Sequence, residues 1–173
     1  MRRGRYNLVL SIYPSVRGFA FVVFEGSLSP VDWGIKELRG RQKNQRCLVA
    51  IAALFERFRP DVLVLQDMSP AGTRRAVRVR ELNAGMEELA IDQGMAVFSY
   101  SRTRVRELFA SHGATTKHAI AEIIAKHVPA FERYLPPPRK LWMSEDSRMS
   151  LFDAAALALT FFQESGGDGK GMR

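Results

Sequence analysis

The sequence predicts an α/β fold in which helices pack on a mixed, five-stranded sheet. Three strand-like runs come first, at residues 6–12, 18–24 and 31–38, and short turns rich in Pro, Gly and Ser separate them. After residue 40, segments with apolar residues at helical spacing alternate with short apolar runs. An antiparallel meander followed by this alternation gives a mixed sheet, in the order β-β-β-α-β-α-β-α-α-α.

The later elements follow from the apolar period and from the residues that start and end helices. We predict helices at 47–58, 73–93, 102–110 and 115–127, strands at 61–65 and 95–100, and a last helix ending at residue 162. Thr115 or Thr116 is the expected N-cap of the fourth helix, and Ser147 or Ser150 that of the last. Residues 135–148 are predicted to form a surface loop. We expect one domain over residues 1–163 and a flexible tail over residues 164–173.

Composition excludes several classes of protein. The chain has 173 residues, of which 46% are hydrophobic and 25% charged, so it is not a disordered chain. No apolar run reaches the roughly 18 residues of a membrane span, and the apolar stretch after the basic start is too short for a signal peptide. Cys47 is the only cysteine, which excludes a disulfide framework and favours a reducing, cytoplasmic setting. The net charge of +8 favours a polyanionic partner, although charge alone does not separate nucleic acid from a membrane surface. We expect nucleic acid, and no membrane, as the partner.

Four segments carry a resemblance to one family, in the same order along the chain. They are VLSIYPS at 9–15, RPDVLVLQD at 59–67, the stretch from VFSY at 97–100 to GATTK at 113–117, and DAAALAL at 153–159. Together they resemble the RuvC-type Holliday junction resolvases, whose fold is ribonuclease H-like, and the predicted order of elements matches that fold. The resemblance implies DNA as partner and a homodimer that matches a two-fold junction.

The resemblance also implies a nuclease site in which carboxylates hold two Mg²⁺ or Mn²⁺ ions. In that family one carboxylate comes from the first strand, one from the fourth and two from the last helix. Here the first position is Tyr13, the second is Gln66 or, after a one-residue slip, Asp67, and the helix offers Ser150 and Asp153. Among these positions, only Asp153 has a carboxylate where the family has one.

Asp67 and Asp153 are therefore the candidate catalytic residues and, with Asp146, the candidate metal ligands. Glu25 and Glu145 are further carboxylates that could replace a missing one. Each candidate has a structural alternative. Asp67 could form a turn, and Asp153 could be an acid in the first turn of its helix that the helix dipole favours. Tyr13 could be a half-buried aromatic residue at the end of its strand.

Basic residues are the candidates for nucleic-acid contacts. They are Arg74, Arg75, Arg78, Arg104, Lys117, Arg139 and Lys140. Lys117 matches the lysine that contacts phosphate in the family, and Trp142 is placed to stack on a base. The alternatives are a solvated basic face and a Trp142 ring packed beneath its loop.

These observations predict a RuvC-like protein that binds nucleic acid, expected to be DNA, and whose metal-dependent nuclease site is degraded. One alternative is an active, Mg²⁺-dependent, structure-selective endonuclease with relocated carboxylates. A second is a basic module that binds an acidic protein.

Overall fold

The computed structural model describes residues 8–69 and 76–165. The strands are β1 Val9–Pro14, β2 Gly18–Phe24, β3 Pro30–Glu37, β4 Val62–Gln66 and β5 Ala96–Tyr100. The α-helices are α1 Lys43–Phe58, α2 Val77–Asp92, α3 Arg102–Ala110, α4 Lys117–His127 and α5 Met149–Glu164. A 3₁₀ helix at Pro129–Tyr134 follows α4. None of the helices in the described ranges is long and apolar enough to cross a membrane.

The five strands form one mixed sheet in the order β3-β2-β1-β4-β5. The pairs β1–β2 and β2–β3 are antiparallel, whereas β1–β4 and β4–β5 are parallel. The predicted α/β class, the meander and the mixed sheet are thus confirmed. Since β1 and β4 are parallel neighbours at the centre, their carboxyl ends lie side by side at one edge of the sheet.

Each face of the sheet is covered by different helices, and the alternation of side chains along β1 and β4 assigns every residue to a face. Val9, Val62 and Val64 belong to the core beneath α5. Thirteen of the 16 residues of α5 are buried. Leu63 and Leu65 belong to the core beneath α1 and α2. Tyr13 and Gln66 therefore fall on the α5 face, in step with the valines.

Some element ends differ from the prediction. The helix predicted from residue 47 begins at Lys43, and the 3₁₀ helix was not predicted. Thr116 caps α4 as expected, because its hydroxyl accepts a hydrogen bond from the Ala119 N–H.

The predicted serine cap of the last helix is wrong. Arg148 holds the N-cap position of α5 without a side-chain cap, and the Ser150 hydroxyl instead donates to the Ser147 carbonyl from inside the first turn. The predicted start of the second helix at residue 73, and residues 166–173 of the predicted tail, lie outside the described residues.

Candidate functional site

The candidate site lies at the carboxyl ends of β1 and β4, where α4 and α5 approach the sheet. Tyr13, Gln66, Lys117 and Asp153 line one cavity there. Ser150 lines an adjoining cavity together with Tyr13, Lys117 and Asp153. The structure therefore brings together the positions that the resemblance assigned to carboxylates.

Lys117 is the first residue of α4 and places its ammonium group inside this site. Its Nζ lies 3.1 Å from Oδ2 of Asp153, and it also forms an ion pair with Glu145. The ring of Tyr13 is 6.0 Å away, measured from Nζ to the ring centroid. Burial alone would lower the pKa of Lys117, but Asp153, Tyr13 and Glu145 together raise that pKa above its ordinary value. The site therefore holds a stable positive charge beside Asp153.

Gln66, rather than Asp67, lies on the same side as Tyr13 and Asp153. Gln66 is only 8% exposed, and its backbone carbonyl accepts a hydrogen bond from the Asn83 side chain on α2. Asp67 lines a different groove, next to α2, which contains neither Tyr13 nor Asp153. There its Oδ1 accepts hydrogen bonds from the Ser69 hydroxyl and N–H, which lower the pKa of Asp67.

The other candidate carboxylates have different surroundings. Asp146 borders the site, but Arg148 donates hydrogen bonds to both of its oxygens, and the side-chain bond to Arg148 lowers the pKa of Asp146. Glu25 follows Phe24, which pairs with Val9, so it lies at the opposite end of the sheet from Tyr13. Assignment of Asp67, Asp146 and Asp153 to one metal site stays a prediction.

Two of the basic residues are committed to bonds within the protein. The Arg78 guanidinium donates to the carbonyls of Ser15 and Val16 and to Oδ1 of Asn44, at 2.9–3.1 Å. Arg104 forms ion pairs with Glu107 and Glu164, which raise its pKa. Arg74 and Arg75 lie outside the described residues.

The loop between the 3₁₀ helix and α5 carries the most exposed candidates. Arg139 and Lys140 are exposed, and Lys140 Nζ is 5.6 Å from the centroid of the Trp142 ring. Trp142 is 79% exposed, so the alternative in which its ring packs beneath the loop is wrong. This loop presents two cations and an aromatic face to solvent, and its end, through Glu145, contacts Lys117.

Several solved structures are similar to this chain over nearly its whole length. The RuvC structure of Thermus thermophilus matches with a TM-score of 0.64 and 19% sequence identity, over 92% of this chain and 96% of that chain. The chain has a RuvC-like fold. The yeast mitochondrial Holliday junction resolvase Ydc2 matches with a TM-score of 0.65 and 13% identity, over 91% of this chain and 78% of that one.

Two further solved structures, a viral resolvase and a complex with DNA, are similar to this chain. The fowlpox virus Holliday junction resolvase matches with a TM-score of 0.55 and 9% identity, over 91% of this chain and 99% of that chain. T. thermophilus RuvC in complex with Holliday junction substrate matches with a TM-score of 0.64 and 18% identity, over 92% of this chain and 96% of that chain. No protein-family model and no curated protein matches the sequence.

The residues at the site do not fit the pair of Mg²⁺ ions that the resemblance implies. Within residues 8–69 and 76–165, no group of three or more His, Cys, Asp or Glu side chains is arranged to hold a metal ion. Tyr13 and Gln66 supply a phenol and an amide in place of carboxylates, and Lys117 brings a positive charge to the carboxylate of Asp153. Hard divalent cations need several anionic oxygens, and Tyr13, Gln66 and Lys117 do not supply them.

Proposed function

We propose that this protein binds DNA through a RuvC-like fold whose metal-dependent nuclease site is degraded. The observation that carries the proposal is the ion pair between Lys117 and Asp153, at 3.1 Å, in a site completed by Tyr13 and Gln66. The one carboxylate that matches the family's pattern is thus already paired with a cation of the protein itself.

The electrostatics of this arrangement oppose metal binding. A Mg²⁺ ion near Asp153 would have to displace the Lys117 ammonium or accept its repulsion, and no second strand carboxylate is present to compensate. The phenol of Tyr13 is a poor substitute for a carboxylate, because Mg²⁺ is held in proteins by carboxylate and carbonyl oxygens and by water. The site therefore suits structural or binding roles better than phosphodiester hydrolysis.

Cations elsewhere on the surface supply the proposed DNA contacts. Arg139 and Lys140 are exposed beside Trp142, which offers a ring face to an unstacked base. Contacts of this kind to phosphates do not depend on sequence, and the net charge of +8 favours them. Contacts by Arg74 and Arg75, and a homodimer that matches a two-fold junction, are part of the proposal.

The alternative of an active endonuclease with relocated carboxylates is not favoured by the placement of those groups. Asp67 lies in the groove beside α2, Glu25 lies at the other end of the sheet, and Asp146 is held by Arg148. A basic module for an acidic protein has no observation of its own that favours it.

Binding and cleavage measured on the same substrates test the proposal. We would titrate the full chain with a labelled four-way junction, the matching duplex and an RNA duplex, in Mg²⁺, Mn²⁺ or EDTA. We expect DNA binding in EDTA that Mg²⁺ and Mn²⁺ do not strengthen, with no cleavage in either metal. Metal-dependent cleavage that Asp153→Asn abolishes would overturn the degraded site, and failure to bind any of the three would overturn nucleic-acid binding.

A further inference from the structure

We propose that the groove between α2 and the edge strand β5 binds an extended, basic segment of a partner protein, with one Arg or Lys side chain of that segment bonded to the buried amide of Asn83. The groove lies on the α2 side of the sheet, and the inference does not depend on DNA binding. It follows from the charge of the groove, from an unpaired oxygen in its wall and from the free edge of β5.

The groove is acidic, although the chain as a whole carries a net charge of +8. Asp67, Glu81 and Glu87 line it, and among the described residues Arg80 is the only cation that does so. Glu81 and Glu87 are exposed, and within the described residues neither forms an ion pair. The groove therefore attracts cations and repels phosphate groups, in contrast to the basic surface elsewhere.

Asn83 places an unpaired hydrogen-bond acceptor in the wall of this groove. The residue is 8% exposed, and its Nδ2 donates to the Gln66 carbonyl at 3.0 Å. Its Oδ1 is buried and accepts no hydrogen bond from the described residues. An unpaired buried acceptor is unfavourable, and Arg and Lys are the side chains that carry several N–H donors and no acceptor. Bulk water does not reach this oxygen, so a ligand side chain has to part the groove walls, and the hydrogen bond that it gains offsets that cost.

The size and the apolar parts of the groove fit a long side chain rather than a bare metal ion. Its volume is about 420 Å³, more than the ~150 Å³ of a cavity that holds benzene. Met68, Val77 and Ala84 offer apolar surface to the methylene groups of an Arg or Lys side chain. In the described part of the chain, no three acidic, His or Cys side chains are arranged to hold a metal ion. The groove therefore suits an organic cation.

The edge strand β5 favours a peptide over a free polyamine, because it offers main-chain groups to a second strand. Within the described residues β5 pairs only with β4, and the Tyr100 carbonyl points toward β4, where it accepts a hydrogen bond from the Asp67 N–H. Successive carbonyls of a strand point in opposite directions, so the Ser99 carbonyl faces the free edge. Ser99 is exposed and lines the groove. An extended segment can bond to this edge while its side chains enter the groove.

Two labelled peptides that differ only in charge test the groove. One alternates glycine with arginine, and the other carries citrulline, a neutral residue of the same length, in place of each arginine. We expect the full wild-type chain to bind the arginine peptide about tenfold more tightly at low salt, measured by fluorescence anisotropy. Glu81→Gln with Glu87→Gln should weaken binding of the arginine peptide about tenfold, because two ion pairs with the peptide are lost.

Matched variants separate the groove from overall charge. Glu56→Gln with Glu88→Gln removes two exposed acids that do not line the groove, and it should leave the affinity for the arginine peptide unchanged. Arg80→Gln removes the cation of the groove itself, so it should strengthen binding of that peptide.

Asn83 has a spectroscopic readout that needs no variant and so carries no risk of misfolding. Binding of the arginine peptide to the wild-type chain should shift the NMR resonances of the Asn83 side-chain amide, because its Oδ1 gains a charged donor. The amide of Asn44, which already exchanges hydrogen bonds with Arg78, is the internal control and should not shift.

Four outcomes would overturn the inference. Equal affinity for the arginine and citrulline peptides would exclude recognition of charge, and equal effects of the two double variants would place the peptide outside the groove. Asn83 resonances that stay fixed while the peptide binds would exclude the bond to its amide. Spermidine bound more tightly than the arginine peptide would identify a free polyamine as the ligand in place of a partner protein. None of these results bears on DNA binding, which the four-way junction measures separately.

Discussion

At the first position of α4, Lys117 brings its ammonium group to two carboxylates, those of Asp153 and Glu145. The side chain of Asp153 is only 16% exposed, so its charge has little water to stabilise it. Removal of one member of such a pair costs more than the pair itself contributes, because the remaining charge loses its nearest counter-charge. The stability of this edge of the sheet therefore depends on the ion pair between Lys117 and Asp153.

We predict that Lys117→Met lowers the free energy of unfolding by about 1–3 kcal/mol, because it removes the ammonium group that lies 3.1 Å from the Asp153 carboxylate. Asp153→Asn added to Lys117→Met should recover part of that loss, and urea unfolding of the two single variants and the double variant measures this coupling. Lys126→Met, on the exposed end of the same helix, is the control and should have little effect. Equal losses at the two lysines would contradict the prediction.

The direction of the pKa shift sets how this contribution depends on pH. Since the pKa of Lys117 is raised in the folded chain, its stabilising effect is complete below the ordinary lysine pKa of about 10.4. It is lost as the pH rises through the folded pKa. From neutral pH upward, the stability difference between wild type and Lys117→Met should stay constant and fall only in strongly alkaline solution.

The residues that replace carboxylates also predict the result of rebuilding the site. Tyr13→Asp, Gln66→Glu and Ser150→Asp would surround Asp153 with acids, so the variant should melt at a lower temperature than wild type in EDTA. Mg²⁺ or Mn²⁺ should raise that melting temperature by linkage, whereas wild type should show no change. An equal response of the two proteins to metal would show that these positions do not converge as described.

Among the secondary-structure elements, α2 is joined to the β1–β2 turn by the side chain of Arg78. Arg78 donates to the carbonyls of Ser15 and Val16 and exchanges hydrogen bonds with Asn44 of α1. One guanidinium therefore connects a helix, a turn and a second helix. This structural role competes with the contact to nucleic acid that the sequence suggested for Arg78.

We predict that Arg78→Met lowers the free energy of unfolding by about 2–3 kcal/mol, since several carbonyl acceptors lose a charged donor. Arg80→Met on the same helix removes the same charge from an exposed position and should change stability by less than about 0.5 kcal/mol. Thermal unfolding of the two variants makes the comparison. If both variants melt together, Arg78 has no structural role beyond that of a surface charge.

Most elements of the fold could be predicted because their signals are local. The strand at Gly18–Phe24 and the helix at Arg102–Ala110 have the predicted bounds, since turn residues and apolar period agree there. The 3₁₀ helix at Pro129–Tyr134 was missed because Pro129 served as the end of α4, although proline is equally suited to the first position of a new helix. The cap of α5 was missed because Ser150 has an alternative acceptor in its own turn.

The site was less predictable because its decisive contacts are between distant residues. The sequence left Gln66 and Asp67 open, and only the packing of Val62 and Val64 beneath α5 assigns Gln66 to the side of Asp153. The contact between Lys117 and Glu145 joins residues 28 apart through an irregular loop, for which no periodicity fixes a register. The resemblance to the RuvC-type family indicated which positions belong to the site. Tertiary packing determines what the side chain at each position contacts.

For the molecule as a whole, charge should decide how tightly DNA is held. Each phosphate contact releases condensed counterions, so the logarithm of affinity falls linearly with the logarithm of salt concentration, by about 0.9 per contact on duplex DNA. Arg139→Ala with Lys140→Ala should weaken binding and reduce this slope by up to about 2. Fluorescence anisotropy over a series of salt concentrations gives both quantities.

A variant with the same net charge provides the control for that measurement. Arg57→Ala with Lys126→Ala removes two exposed cations, one near the end of α1 and one near the end of α4. Since neither lies on the loop that carries Trp142, the slope should stay that of wild type. Equal slopes for the two double variants would mean that overall charge, and not this loop, holds the DNA.

The burial of α5 has a consequence for the synthesis of the protein on the ribosome. The three strands of the meander emerge first, but the helix that covers their inner face, Met149–Glu164, emerges last. Until then the apolar face formed by residues such as Val9, Val22 and Val64 has no cover, so the nascent chain is open to aggregation and to chaperones. Nascent chains halted at residue 148 should be cut rapidly by protease, whereas chains released after residue 165 should resist it.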